Sequence, residues 1–293
     1  MTTDTYMTAE ESGDGWDLWL GDSCERMAEI PDDSVDLSVY SPPFASLFTY
    51  SPSPRDLGNN ASRDEFFEHY GFIIRENLRI TKPGRICAVH VQQLTTTMST
   101  NGVIGLTDFR GQVIRTYVDA GWIFHGEVTV DKDPQAQAIR TKAQALMFVT
   151  KNRDSSMTRP ALADYLLLFR KPGENVEPIK TDVTNDEWIE WARPVWLDIK
   201  ETNTLNARVA RENADERHIC PLQLDFVERC VRLWSNVGEL VFTPFAGIGS
   251  ELYVAVQHDR RALGIELKPS YWQAAVNNLR SLDAKKDQAV LFA

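Results

Sequence analysis

Two places in this chain bring together residue types that could do chemistry. The first is Ser41-Pro42-Pro43-Phe44, directly after the apolar run Val35 to Tyr40. Two consecutive prolines lack backbone donors and fix φ, so no central sheet ladder continues through them. The chain must leave the sheet there as a rigid corner. A serine oxygen and a proline carbonyl at such a corner can accept two hydrogen bonds from an –NH2 group. That orients the amine and draws its lone pair out of ring conjugation. Phe44 adds an aromatic face on which a base can stack. Taken alone, such a tetrapeptide is more often a rigid turn with a core phenylalanine.

The second place is Phe245-Ala246-Gly247-Ile248-Gly249, between the apolar run Leu240 to Thr243 and a helical pattern from about Ser250 to Gln257. Small residues at a strand-to-helix turn let a ligand approach the backbone, and the helix start offers free N–H groups. Glu266 closes the next apolar run, 17 residues after Gly249. An acid at that place suits the two hydroxyls of a ribose. The pair reads as a site for a nucleoside cofactor. The dinucleotide version of the motif needs a third glycine where this chain has Leu252. That disfavours NAD and points to a cofactor built from an adenosine and a charged amino acid, S-adenosyl-L-methionine.

The elements that must position these residues alternate. Apolar runs at 16–20, 35–40, 86–91, 122–130, 165–169, 240–243 and 261–266 read as strands. Helical spacing occupies 24–30, 63–80, 108–120, 221–234, 250–257 and 269–282. Lys82-Pro83-Gly84 and Lys171-Pro172-Gly173 read as turns. Alternation of this kind predicts an α/β fold, a mostly parallel twisted sheet with helices on both faces. In such sheets ligands bind outside the carboxyl ends of the strands, where both motifs fall. Residues 45–62, rich in Ser, Pro, Asn and Gly, read as a long binding loop behind the tetrapeptide. We expect residues 1–15 to be a disordered tail and 16–293 a single domain. Two inserted segments, at about 131–161 and 174–213, show no clean period.

The chain has 293 residues, 43% of them hydrophobic, enough for a full core. It contains no apolar run of membrane-spanning length and no signal-peptide pattern, so a cytoplasmic protein is expected. Its four cysteines fit neither a zinc pattern nor a disulfide scaffold, and reduced, mostly buried thiols are expected. The net charge of −11 argues against polyanion binding by the whole surface. A local exception runs from Arg140 to Lys171, with seven Lys/Arg against two acids. A run like this is either a solvated face or a phosphate-binding surface.

The paired motifs resemble the amino-methyltransferases of DNA, whose signature joins an [Asp/Asn/Ser]-Pro-Pro-[Tyr/Phe/Trp] tetrapeptide to a Phe-x-Gly-x-Gly cofactor loop. The tetrapeptide comes first here and the loop last, as in the permuted beta group. Gly21-Asp22, Pro31 to Leu37, Lys82-Pro83-Gly84, Arg170 to Gly173 and Glu216 to Pro221 are similar to that group's flanking segments, and the likeness is nearest to phage and prophage versions. It covers roughly residues 16–130, 162–173 and 215–282.

The resemblance implies a Rossmann-like methyltransferase fold in permuted order, with S-adenosyl-L-methionine as cofactor and DNA as partner. It implies that Ser41 and Pro42 hold the target amine, Pro43 stiffens the corner and Phe44 stacks on the base. Asp22 would contact the cofactor's adenine, and Phe245, Ala246, Gly247 and Gly249 would shape its pocket. Ser250 would lie near its amino-acid end, and Glu266 would take its ribose. Members of the permuted group often form dimers, so a homodimer is a further implication. Arg140, Lys142, Lys151, Arg153 and Arg159 are the candidates for DNA phosphates.

Two departures stand out: Thr243 replaces the usual aspartate, and Cys220-Pro221-Leu222-Gln223 replaces a His-Pro-x-x-Lys-Pro pattern. N6 of adenine is slightly favoured as the target, although a serine-headed tetrapeptide is associated more with N4 of cytosine. An RNA amino-methyltransferase and a catalytically silent DNA-binding module are the remaining readings.

Overall fold

The computed structural model of the chain describes residues 7–43, 56–57, 62–96, 98–135, 156, 159–206 and 221–291. Its strands are β1 (Ala9–Gly13), β2 (Trp16–Leu20), β3 (Val35–Tyr40), β4 (Thr81–Gln92), β5 (Leu94–Thr96), β6 (Gly105–Thr107), β7 (Ile123–Val130), β8 (Asp164–Arg170), β9 (Val195–Trp196), β10 (Leu240–Thr243) and β11 (Arg261–Glu266). Its α-helices are α1 (Ser23–Arg26), α2 (Arg63–Ile80), α3 (Met98–Asn101), α4 (Phe109–Asp119), α5 (Asn185–Trp191), α6 (Leu224–Trp234), α7 (Ser250–Gln257) and α8 (Pro269–Leu291).

Nine strands form one sheet in the order β1-β2-β11-β10-β3-β4-β8-β7-β9. Only β1 and β8 run against the others. The period of two along the strands divides the core. Ile86, Ala88, Leu166, Leu168, Val241 and Ala262 face α6, α7 and α8. Cys87, Val89, Leu167, Phe169, Phe242 and Leu263 face α2 and α4. Strands buried on both sides explain why the sequence showed continuous apolar runs there.

The chain reverses its direction of travel between β3 and β10. From β3 it crosses through α2 to β4 on one side; from β10 it crosses through α7 to β11 on the other. The two strands pair directly, Val241 with Leu37 and Phe242 with Ser38. A crevice opens at the carboxyl ends of strands that diverge in this way.

The opposite ends of these strands are held by charge. Arg85, 1% exposed, donates to Glu239 in a two-point pair at 2.9 and 2.5 Å. The Asp36 carboxylate lies 3.7 Å from Arg85, bonds Lys82 at 2.6 Å and accepts from the Leu240 backbone at 2.9 Å. One cluster therefore ties the starts of β3, β4 and β10 together.

Three expectations need correction. Residues 9–13 of the expected disordered tail form an edge strand, paired antiparallel to β2 through the Asp14-Gly15 turn, with Gly15 at φ 82°. Asp-Gly between two extended segments is a strong hairpin signal. The acids that made this stretch look disordered are paired: Glu10 with Arg26, and Glu11 with Arg280 at 2.7 Å. Lys82-Pro83-Gly84 lies inside β4 rather than in a turn before it, with Gly84 in the left-handed region at φ 74°. Part of the expected insertion at 174–213 belongs to the sheet, since β9 pairs parallel with β7 and Trp196 is buried in the core. Of the cysteines, Cys87 and Cys230 are buried and Cys24 is exposed.

Glu239→Ala should strip a buried guanidinium of its main partner and lower unfolding free energy by about 3 kcal/mol in urea titrations. A loss under about 1 kcal/mol would show that Asp36 and Glu177, 3.7 and 3.8 Å from the guanidinium, suffice to neutralise Arg85.

Candidate active site

Four strand ends meet at the reversal point. β3 ends in Ser41-Pro42-Pro43, with Pro42 buried and its two neighbours partly so. β10 ends in the glycine turn, β11 in Glu266, and β2 in Gly21-Asp22. Phe44 and residues 45–55 lie outside the described residues.

The turn after β10 is built by short bonds. The Ala246 amide donates to the Ile265 carbonyl at 2.8 Å, and the Gly249 amide to the Ala246 carbonyl at 2.7 Å. Gly247 and Gly249 take φ of 53° and 88°, which L side chains rarely adopt. A Cβ on Gly249 would meet Ala275 of α8 at 3.1 Å, so that glycine also lets α8 close on the turn. A Cβ on Gly247 would meet nothing within 4 Å, so this backbone borders open space. Phe245 packs edge-on to Tyr40, with ring centroids 5.7 Å apart, and so joins the turn to the tetrapeptide's strand. Thr243 is buried and accepts from the Phe245 amide at 3.3 Å.

Glu266 is the electrostatic centre. One carboxylate oxygen accepts from the Gly247 amide at 2.7 Å and the other from the Lys268 amide at 2.8 Å. Two of its roughly four acceptor positions stay open for hydroxyl donors. Burial pushes its carboxyl up to about 7, against the pull of those two amides, with Asp56 adding repulsion. Glu251 in the first turn of α7 is pushed up to about 8, again chiefly by burial, with Glu266 adding repulsion. Ser250 is buried, and among the described residues its hydroxyl oxygen has no hydrogen-bond partner.

Asp22 caps α1, accepting from the Cys24 amide at 2.9 Å. Ser23 donates to the Pro244 carbonyl at 2.5 Å, and the Gly21 amide donates to the Glu266 carbonyl at 2.9 Å. These bonds bring Asp22 beside the glycine turn. An open glycine backbone, a carboxylate with acceptor capacity to spare and an orphaned buried hydroxyl fit a ligand that carries both a ribose diol and polar groups.

The structure brings Ser41, Pro42, Pro43, Asp22, Phe245, Ala246, Gly247, Gly249, Ser250 and Glu266 to one end of the sheet. Arg140, Lys142, Lys151, Arg153 and His218 fall outside the described residues. Arg159 donates to the Gly105 carbonyl of β6 at 3.4 Å, and burial lowers its pKa. Sequence reasoning missed Asp56, Lys268 and Glu251 around Glu266, and His90, Lys132 and Asp164 behind Ser41. Lys268 and Glu251 sit within two residues of named site residues, a signal that was available. The other four reach the site only through tertiary contacts.

A family model described as a DNA methylase, the N6/N4 type, matches residues 35–277, and the chain belongs to that family. The type II methyltransferase M.MjaI of Methanocaldococcus jannaschii is 22% identical over 282 residues, with 86% of each chain covered. The type II methyltransferase M.BglI of Bacillus subtilis is 29% identical over 119 residues, a match that spans 40% of this chain and only 31% of that protein. Among solved structures, TTHA0409 of Thermus thermophilus, a putative DNA modification methylase complexed with S-adenosyl-L-methionine, superposes with a TM-score of 0.68 at 25% identity, over 90% of this chain and 93% of that one. The cytosine-N4-specific PvuII DNA methyltransferase gives 0.66 at 19% identity, over 91% and 87%. Family membership carries the reaction class, S-adenosyl-L-methionine-dependent methylation of DNA.

Two measurements probe this pocket. Glu266→Gln should weaken S-adenosyl-L-methionine binding about 30-fold in calorimetry, because a charge-assisted acceptor becomes a neutral one. Without cofactor, stability should fall as pH rises from about 4.5 towards 8. Across that window the folded chain keeps protons on Glu266 and Glu251 that the unfolded chain has released. Denaturant melts at several pH values check this, and Glu251→Gln should flatten the slope.

Proposed function

We propose that this member of the DNA methylase family transfers a methyl group to an exocyclic amino nitrogen of a DNA base held out of the helix. One observation supports this most. The Ser41-Pro42-Pro43 corner and the Glu266–Gly247 cradle end neighbouring strands on the two sides of the chain reversal, with Phe245 packed against Tyr40 between them. The bound cofactor supplies a methyl group already activated by a sulfonium.

In this reading the chain's own residues work by aiming. Ser41 Oγ and the Pro42 carbonyl accept from the target –NH2, and Phe44 stacks on the base. Glu266 holds the ribose, Asp22 borders the adenine and Ser250 meets the amino-acid end. A base inside a duplex is out of reach, so it must be flipped into the crevice. The amine attacks directly, and its extra proton leaves for solvent.

The target kept first is N6 of adenine. Ser41 in place of an aspartate favours N4 of cytosine as the second reading. The tetrapeptide strand precedes the cofactor-loop strand in the chain, which supports the permuted beta group, in a phage-like version. DNA recognition by the segments at about 131–161 and 174–213, phosphate contacts by Arg140, Lys142, Lys151, Arg153 and Arg159, a cytoplasmic location and a homodimer complete the proposal. No helix among the described residues is long and apolar enough to cross a membrane.

Digestion of DNA methylated by the purified protein, followed by nucleoside mass spectrometry, should reveal N6-methyladenine. N4-methylcytosine instead would select the second reading, and unmodified DNA would overturn both. Ser41→Ala should cut turnover about 100-fold while cofactor affinity stays within twofold. An undiminished rate would remove Ser41 from the mechanism.

A further inference from the structure

Ser41 is backed by a file of buried polar groups from three neighbouring strands. His90 Nδ1 on β4 lies 3.2 Å from Ser41 Oγ. His90 Nε2 lies 3.0 Å from Asp164 Oδ2 at the start of β8. Lys132 Nζ, just past β7, reaches the same Asp164 oxygen at 2.6 Å. The other Asp164 oxygen accepts from Gln92 Nε2 at 2.8 Å. His90, Asp164 and Lys132 are 8%, 5% and 4% exposed. The register explains the meeting: Gln92 and Val130 both pair with Asp164, and His90 pairs with Leu166. The His90 ring also stands edge-on to Phe226 of α6, centroids 5.2 Å apart, which restrains its tilt.

Such a group is costly to bury unless every member is partnered. Lys132 Nζ, 2.6 Å from Asp164 Oδ2, favours the ionised carboxylate. It is therefore an anion facing Nε2. The approach is off-line, so Nε2 makes no aligned hydrogen bond, and the contact acts through charge. An anion 3.0 Å from Nε2 favours the ring proton on that nitrogen. In the neutral ring Nδ1 is then left as a lone pair turned towards Ser41.

A serine hydroxyl has one proton and two acceptor lone pairs. Among the described residues, the two atoms within reach of the Ser41 proton belong to His90, its Nδ1 and its backbone carbonyl, each at 3.2 Å. Drawn to either, the proton points to β4 and both lone pairs stay free for an incoming N–H. With the opposite tautomer an Nδ1–H would donate into Ser41 Oγ, leaving one free lone pair in place of two and narrowing the directions from which the target amine can approach.

We infer that His90, with its tautomer set by the Asp164–Lys132 ion pair, is the positioning residue that keeps Ser41 an acceptor for the target amine. The inference rests on the reading of Ser41 given above. It extends that reading from one residue to a four-residue assembly and predicts that Ser41 and His90 act as one unit.

The test combines three variants with one spectrum. His90→Ala should lower kcat on DNA about 30-fold, with KM for DNA and affinity for S-adenosyl-L-methionine within twofold. In His90→Asn an amide oxygen can stand where Nδ1 stood, so most of the rate should return. Ser41→Ala/His90→Ala should be no slower than Ser41→Ala alone, because the two changes remove one function. An unimpaired His90→Ala, or losses that multiply in the double variant, would overturn the inference. Thermal melts of each variant separate lost rate from lost fold. Long-range 15N–1H spectra of the wild-type protein, with His90 assigned by comparison with His90→Asn, should show an Nε2–H tautomer. An Nδ1–H signature would refute the inference whatever the activity. Because the spectrum needs no turnover, a wild-type protein that fails to methylate DNA would count against the function and leave the tautomer result standing.

Discussion

The parallel pairing of β3 with β10 is the constraint on which the rest of this molecule depends. These strands are neighbours in space, yet 199 residues separate Tyr40 from Leu240 in the chain. Their crossovers leave in opposite directions, which opens a crevice between their carboxyl ends. At their other ends the Arg85–Glu239–Asp36 cluster fixes the relative height of β3, β4 and β10. A buried ion cluster is weak evidence for stability, since hydrophobic replacements often do as well. Its directional bonds nevertheless suit the setting of register, and register decides whether Ser41 and Phe245 end at the same level.

Electrostatic character follows from how deeply each carboxylate is set and what faces it. Asp164 is buried against the Lys132 ammonium and sits low; Glu266 and Glu251 are buried with backbone amides and each other, and sit high. The chain thus keeps one firm anion behind the tetrapeptide and two readily protonated acids around the glycine turn. The first suits holding a tautomer over a wide pH range. The second suits an acceptor whose charge is reinforced when ligand hydroxyls donate to it.

The β4 strand links these parts. Its start carries Arg85 in the register cluster; its middle carries Cys87 and Val89 in the core that packs on α2 and α4; its end carries His90 and Gln92 behind Ser41. The neighbouring β8 runs antiparallel, which places Asp164, the first residue of that strand, beside the last residues of β4. A parallel neighbour would have presented its far end there instead. The one reversed strand inside the sheet is what supplies the anion that His90 faces.

Much of this was legible in the sequence because the signals are local. Apolar runs marked the central strands, 3.6-residue spacing marked α2, α4 and α6, and two prolines marked the corner after β3. The glycine turn and Glu266 lie close enough along the chain to be read as one motif. The Asp-Gly hairpin of β1 was also legible and was outweighed by the acidity of its flanks, whose partners Arg26 and Arg280 are remote in sequence. Sequence by itself determined the sheet class, the glycine turn and the rigid serine corner, because steric and periodic rules act between near neighbours. Only the tertiary structure decided that His90, Asp164 and Lys132 stand behind Ser41, because hydrogen bonding and Coulomb attraction depend on distance in space, and sheet register alone brings those residues within reach.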